Sequence, residues 1–329
     1  MPFADVIGHR HLVDQLRQAV ARKRVPQSLL FAGPEGVGKR AVAVALAQAV
    51  NCPDAREGDA CGTCQVCRRI AAGTHSDVVL LDAGGEASIK IKALRERVLD
   101  AVGYRPFEGA RRVFIVDPAD EMTVEAQDAL LKTLEEPPAS ALLGLVTAYP
   151  DTLMPTIQSR CRRLRFGPLA ESDVARVLEG RGVPAAKARA MAAVSGGSVA
   201  RALATEDDAA GGDREAALGV LRAARGAAIV PRLKAAAALA RHGSKRRDRQ
   251  ALDARLIALA SLTRDLAAIV SGARVPLANV DLTSPLQDLA GAFSPDRADA
   301  AYETIVQARQ ALDRNASPKI VADWLAARV

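Results

Sequence analysis

The sequence is poor in aromatic residues and has no long apolar run. Phe, Trp and Tyr make up 3% of its 329 residues, so we expect no row of exposed rings on which single-stranded bases could stack. No stretch reaches the roughly 18 consecutive apolar residues of a membrane span, and no charged-then-apolar leader opens the chain. These absences predict a soluble, cytoplasmic protein with no membrane partner.

Cysteine is also scarce, and four of the five cysteines lie between residues 52 and 67. Cys52, Cys61, Cys64 and Cys67 have the spacing C-x8-C-x2-C-x2-C. Overlapping Cys-x-x-Cys units let thiolates of one short loop converge on a tetrahedral Zn²⁺, and four thiolates leave no open position for water. The pattern therefore predicts a structural zinc site rather than a disulfide framework. Cys161, far away in sequence, is predicted to be a packed thiol.

Length and charge leave the partner class open. A chain of this length with 49% apolar residues suits two or three domains. The formal net charge of +7 favours an acidic partner such as DNA phosphate, but scattered arginines in an Ala/Arg-rich composition would give the same balance. Charge alone does not decide between these two interpretations.

Short apolar runs alternate with helical patterns in the first half of the chain. This alternation is typical of an α/β fold with a parallel sheet and helices on both of its faces. The predicted strands are Gln27–Ala32, Asp77–Leu81, Arg112–Val116 and Ala141–Thr147.

From Pro168 onward only helices are predicted. Three short helices, Glu171–Glu179, Ala185–Val194 and Val199–Ala204, are interrupted at Ser195–Ser198. Thr205–Asp213 is acidic and contains glycine, as is typical of a linker. Beyond it the chain is Ala/Leu-rich at helical spacing. Its basic run Lys245–Arg249 is more typical of a solvated helix face than of a DNA site.

A glycine-rich loop follows the first predicted strand and opens a helix. Gly33, Gly36, Gly38 and Lys39 match G-x-x-x-x-G-K-S/T, whose backbone N–H groups and lysine hold phosphates. The last position departs from this motif, because Arg40 replaces the hydroxyl that ligates Mg²⁺ and a guanidinium can only donate hydrogen bonds. Two interpretations remain: residual binding of ATP or ADP, or survival of the loop merely as a tight strand-to-helix turn.

The apolar run Arg112–Val116 ends at Asp117, followed by Pro118. In an active P-loop ATPase this Asp holds Mg²⁺, and an acidic neighbour polarises the attacking water. Pro118 cannot do so, and general-base assistance is worth about 10²–10⁴-fold. The two departures together predict that the chain does not hydrolyse ATP.

These features resemble the delta-prime family of bacterial DNA polymerase III clamp-loader subunits, which are AAA+ proteins. The segments that carry the resemblance, besides the phosphate loop and the cysteine cluster, are Phe3–Gly8, Gly73–Asp77, Ala129–Pro138, Leu153–Cys161 and Arg314–Ile320. Leu-Leu-Lys-Thr-Leu-Glu-Glu-Pro-Pro and Ser-Arg-Cys are typical of clamp loaders among AAA+ proteins. Ser76 stands where the family usually has Pro.

The resemblance implies three domains. A P-loop domain, 1–166, would carry the zinc module at 52–67. A three-helix lid domain, 167–207, would follow, and an all-helical collar domain, 213–329, would mediate oligomerisation.

The resemblance also implies the function. The chain would be the non-hydrolysing stator of a five-subunit ring with gamma/tau and delta subunits, which places a sliding clamp on primed DNA as part of the DNA polymerase III holoenzyme. Arg160 would act in trans as an arginine finger, or else form a salt bridge within the chain. Thr147 matches the sensor-1 position and Arg201 resembles sensor 2. The alternatives are an active ATPase of gamma/tau type and a chiefly DNA-binding subunit.

Overall fold

The computed structural model describes residues 1–86, 88–204, 212–226, 228–239, 245–313 and 316–329. Most of the predicted linker Thr205–Asp213 therefore lies outside the described residues. So do the side chains of the basic run Lys245–Arg249 and the first two residues of Arg314–Ile320.

A five-stranded parallel sheet forms the centre of the first half. Its strands are β1 (Ser28–Ala32), β2 (Val78–Leu81), β3 (Arg112–Val116), β4 (Ala141–Thr147) and β5 (Arg162–Arg165). The strand order is β2-β3-β4-β1-β5, and every pairing is parallel. The central strands β1 and β4 are buried throughout, as continuous apolar runs require. The predicted α/β fold and its four apolar strands are confirmed.

The edge strand β5 was missed by the sequence analysis. Its residues, Arg-Arg-Leu-Arg, form no apolar run, and their side chains are largely exposed. They become a strand because β1 offers a free row of backbone hydrogen-bonding groups, with Phe31 opposite Leu164. Exposed charge on such an edge also discourages pairing with a further strand.

Helices and short turns connect the strands. They are α1 (Arg10–Ala21), α2 (Lys39–Asn51), α3 (Gln65–Ala71), α4 (Ile91–Leu94), α5 (Asp100–Val102), α6 (Val124–Glu135) and α7 (Pro155–Arg160). The segment Arg95–Leu99 between α4 and α5 is π-helical. The Thr123 hydroxyl caps α6 by accepting a hydrogen bond from the Ala126 N–H at 3.3 Å.

The second half is helical. It comprises α8 (Glu171–Glu179), α9 (Ala185–Val194), α10 (Val199–Ala204), α11 (Gly212–Ala224), α12 (Ile229–Leu239), α13 (Lys245–Ser271), α14 (Thr283–Ala290), α15 (Pro295–Asp313) and α16 (Pro318–Arg328). The three short helices of the predicted lid are thus present. The largest apolar core of the second half includes the fully buried side chains of Leu256, Leu259 and Ile305.

The described chain divides into two compact units, Met1–Leu169 and Ala170–Val329. This division does not separate the predicted lid from the predicted collar, so the three-domain organisation stays a prediction. None of the described helices combines the length and the apolar character that crossing a membrane requires.

Candidate functional site

The glycine-rich loop joins the carboxyl end of β1 to the first turn of α2. Gly38 has φ of +97°, in the region that favours glycine, and immediately precedes Lys39. At Gly33 a Cβ atom would lie 2.2 Å from the backbone oxygen of Phe166, so only glycine allows this close approach. The sequence therefore folds into the predicted strand–loop–helix.

Lys39 is buried and directed back onto the loop. Its Nζ donates to the carbonyl oxygens of Gly33 at 2.7 Å and Pro34 at 2.6 Å. Burial lowers the pKa of Lys39 to about 8, although Asp117, Glu35 and Asp120 oppose this shift. The lysine thus lies inside the loop where a phosphate-binding lysine belongs.

Arg40, next along α2, is directed at the end of β3. Its Nε lies 3.7 Å from Oδ2 of Asp117, whose side chain is only 17% exposed. Burial raises the pKa of Asp117 to about 6; Arg40 and Lys39 oppose this shift, whereas Asp120 and Asp82 add to it. The predicted residues of the two motifs therefore meet, with a guanidinium group beside the carboxylate.

Thr147, the predicted sensor-1 residue, ends β4 beside the loop. Its backbone oxygen accepts a hydrogen bond from the Gly33 N–H at 3.3 Å. Its buried hydroxyl donates to Oδ1 of Asp120 at 2.8 Å. Asp120 was not predicted as a site residue, and its distance of only three positions from Asp117 is the signal that could have found it.

Two further residues near the loop were not singled out from the sequence. The His9 ring contacts Phe166 edge to face, with 4.8 Å between ring centroids, and its Nε2 lies 2.9 Å from the Val37 oxygen. The signal for His9 is its position after Gly8 at the start of an amphipathic helix. Phe166 has no comparable signal, because its place depends on β5.

The predicted sensor-2 residue, Arg201, belongs to the second unit. Its Nε donates to Oδ2 of Asp253 at 3.0 Å. Asp253 also lies 3.4 Å from Nε of Arg309. Within this unit Arg201 is therefore part of an ion-pair network.

Arg160, the predicted arginine finger, is the last residue of α7. Its Nη2 donates to Oε1 of Glu135 at 2.6 Å and its Nη1 to the Thr156 oxygen at 3.0 Å. The side chains of Arg160 and Glu135 are 34% and 50% exposed. In the isolated chain Arg160 thus forms a surface ion pair. Cys161 beside it is buried, as predicted, and burial raises its pKa to about 12.

The four clustered cysteines bring their sulfur atoms together. All four Sγ atoms lie within 4.8 Å of one another. The Sγ of Cys52 is 3.6 Å from that of Cys61 and 3.9 Å from that of Cys64, and the Sγ atoms of Cys61 and Cys67 are 4.0 Å apart. Zn–S bonds of about 2.3 Å place the sulfurs of a tetrahedral site about 3.8 Å apart. The spacing therefore fits a four-thiolate metal site.

Backbone groups support these thiols. The N–H groups of Cys61, Cys64 and Cys67 donate to sulfur atoms at 3.3–3.4 Å. Hydrogen bonds from the backbone of Cys64 and Thr63 lower the pKa of Cys61 to about 6. The buried Asp59 carboxylate accepts from the N–H groups of Phe3 and Ala4 at 2.8 and 2.9 Å. The cysteine loop is thereby fastened to the start of the chain.

Comparison with known proteins identifies relatives of part of the chain. Residues 8–170 match the family described as DNA polymerase III, delta subunit. The chain is 37% identical over 165 residues to the tau subunit of DNA polymerase III from Bacillus subtilis, a match that covers 50% of this chain and 29% of that protein. It is 35% identical over 177 residues to the tau subunit from Escherichia coli, covering 54% and 27%.

A shorter relative gives the same result. The gamma subunit of DNA polymerase III from Buchnera aphidicola is 32% identical over 177 residues, which covers 54% of this chain and 48% of that protein. The chain thus spans less than half the length of each of these relatives. These matches are to tau and gamma subunits of DNA polymerase III, and they do not single out the delta-prime type.

Solved structures resemble the whole chain more weakly. A gamma subunit-related protein of DNA polymerase III from Thermotoga maritima has a TM-score of 0.41 and 18% identity, covering 95% of this chain and 97% of that one. The RuvB Holliday junction branch migration motor of Thermotoga maritima has a TM-score of 0.41 and 13% identity, covering 94% and 82%. The fold assignment rests on the parallel sheet itself.

Proposed function

We propose that the chain is a non-hydrolysing clamp-loader subunit of delta-prime type, a stator in a ring of five AAA+ subunits that loads a sliding clamp on primed DNA. The observation that carries this proposal is Arg40 beside Asp117, with Pro118 following. A cation occupies the sequence position of the metal ligand, and the residue directly after Asp117 is a proline rather than a carboxylate. The ring partners would be gamma/tau and delta subunits.

Arg160 would be the chain's catalytic contribution, made to the ATP site of the neighbouring subunit. Its planar, permanently charged guanidinium suits bidentate binding of phosphate oxygens. The Glu135 pair would not prevent this role, because exposed ion pairs are worth about 0–1 kcal/mol. A γ-phosphate in a closed subunit interface could therefore displace Glu135.

The four cysteines would hold one structural zinc ion. Their sulfur spacing and the backbone N–H groups directed at three of the sulfurs support zinc over a set of unrelated thiols. The metal would supply a covalent link between the end of α2 and the start of α3.

The second candidate is an active ATPase of gamma/tau type, which is favoured by the names of the relatives. An active site of that type needs a metal-ligating hydroxyl and a carboxylate after Asp117. This chain has Arg40 and Pro118 there. A chiefly DNA-binding role rests on the net charge of +7 alone.

The decisive experiment is an Arg160→Ala variant assembled with gamma/tau and delta subunits. We expect DNA-stimulated ATP hydrolysis by the intact ring to lose nearly the whole contribution of the one site that Arg160 would serve, since arginine fingers are worth about 10³–10⁵-fold at a single site. The other sites of the ring keep their contributions, so the total falls by about that site's share. Gel filtration establishes that the ring is intact.

A Glu135→Ala variant is the matched control, because it removes the surface pair and leaves the finger. It is expected to keep wild-type hydrolysis. An Arg160→Ala ring that assembles and hydrolyses ATP at the wild-type rate would contradict the finger role.

A further inference from the structure

The P-loop fold implies a divalent cation at the site formed by Arg40 and Asp117. In active P-loop ATPases Mg²⁺ is held by the hydroxyl that follows the loop lysine and by the Asp at the end of the second strand. Here the residue after Lys39 is Arg40, which offers no oxygen. The residues present do not fit a bound Mg²⁺.

The misfit has a specific geometry. Arg40 is anchored in the first turn of α2, and its guanidinium reaches across to Asp117 at the end of β3, with 3.7 Å between Nε and Oδ2. These are the two elements that Mg²⁺ joins in an active site. The Arg40 guanidinium therefore lies between α2 and the end of β3, as Mg²⁺ does in an active site. Unlike Mg²⁺, it is attached covalently to α2.

Electrostatics favours a cation at this place. Asp117 is largely buried, and the carboxylates of Asp82 and Asp120 act on it as well. A buried carboxylate requires a nearby positive charge or good hydrogen bonds. Lys39 and Arg40 are the positive groups that act on Asp117, and Lys39 Nζ is directed at the carbonyls of Gly33 and Pro34.

We propose that Arg40 is an intramolecular replacement for the divalent cation of the P-loop site. It supplies a permanent positive charge beside Asp117 and repels Mg²⁺, so the arrangement of α2 and β3 does not depend on metal. The inference extends the proposed non-hydrolysing role, and its test does not measure turnover.

The test compares nucleotide binding with and without Mg²⁺. A fluorescent ADP analogue is titrated into the full chain in excess Mg²⁺ and in EDTA. For the wild type we expect affinities within about twofold of each other, or no binding in either buffer. Arg40→Thr, which restores the hydroxyl, is expected to bind at least about tenfold more tightly with Mg²⁺ than in EDTA.

Two controls separate charge from general disturbance. Arg40→Lys keeps the positive charge and should remain insensitive to Mg²⁺, whereas Arg22→Thr changes an exposed arginine at the end of α1 and should behave as the wild type. If circular dichroism shows that Arg40→Thr does not fold, Arg40→Ser serves as the second hydroxyl variant.

Two results would overturn the inference. One is Mg²⁺-dependent binding by the wild type, which paramagnetic resonance would also detect as Mn²⁺ sequestered with ADP beyond the amount that ADP alone holds. The other is a folded hydroxyl variant that shows no Mg²⁺ dependence. Failure of the proposed function is distinct, since it would appear as ATP turnover by the unmodified chain.

Discussion

The burial of the Asp117 carboxyl group makes the stability of the first unit depend on pH. Burial raises its pKa from 3.8 to about 6, against the attraction of Arg40 and Lys39. Because the folded pKa exceeds the unfolded one, the group stabilises the fold most below about pH 4, and this contribution is lost as the pH rises through about 6.

Asp117→Asn removes this titration. We expect the free energy of unfolding of the variant to rise by about 2 kcal/mol relative to the wild type between pH 4.5 and pH 7.5, since one pKa unit corresponds to about 1.4 kcal/mol. Urea denaturation at the two pH values measures it. Asp14→Asn, at an exposed position of α1, should track the wild type at both. Parallel behaviour of Asp117→Asn and wild type would contradict the prediction.

At the scale of elements, the loop before β3 is held by one buried carboxylate. Asp77 accepts hydrogen bonds from the N–H groups of Phe107, Glu108 and Gly109 at 2.7–2.9 Å. Burial alone would raise the pKa of Asp77, but these donors and His75 outweigh it and the pKa is lowered. The same loop leaves the Phe107 ring 87% exposed.

These contacts predict losses of stability of very different size for substitutions of Asp77 and Phe107. Asp77→Ala leaves three N–H groups without their acceptor and should lower the free energy of unfolding by about 2–4 kcal/mol. Phe107→Ser should change it by less than about 0.5 kcal/mol. Chemical denaturation of both variants compares them, and an equal loss would show that the ring is packed in solution.

The cysteine loop provides a second test of an element. Freshly purified protein should contain about one zinc ion per chain, because only four of the five thiols are close together. Cys64→Ser should lose the metal, whereas Cys161→Ser should retain it. Elemental analysis decides, and a metal-free wild type, or a Cys64→Ser protein with full zinc content, would refute the site.

At the scale of the whole molecule, the isolated chain should show no ATP turnover. Arg40 and Pro118 remove the metal ligand and the carboxylate that polarises water. Steady-state hydrolysis assays across purification fractions measure this. An activity that follows the chain through the columns and disappears in Lys39→Ala would contradict the prediction.

Partner identity belongs to this scale as well. Purification from the native cell extract, followed by mass identification, should recover gamma/tau and delta subunits with the chain. Recovery of DNA without these proteins would favour the DNA-binding alternative.

Local signals in the sequence determined the sheet, the cysteine cluster and the phosphate loop of this protein. Continuous apolar runs in β1, β3 and β4 predicted a buried parallel sheet, since such runs suit strands covered on both faces. The spacing of the four cysteines predicted their convergence, because ligands within one short segment can come together without contacts from distant parts of the chain. The glycines of the phosphate loop predicted a strand–loop–helix for the same local reason.

Only the tertiary structure decided which side chains meet across the sheet. β5 has no apolar pattern and exists because β1 offers it hydrogen-bonding partners. The placement of Arg40 beside Asp117 depends on β3 and β1 ending at the same edge with β4 between them. Likewise, the pairing of Arg160 with Glu135 joins residues 25 positions apart. Sequence periodicity reports the burial of each element, whereas contacts between elements depend on strand order.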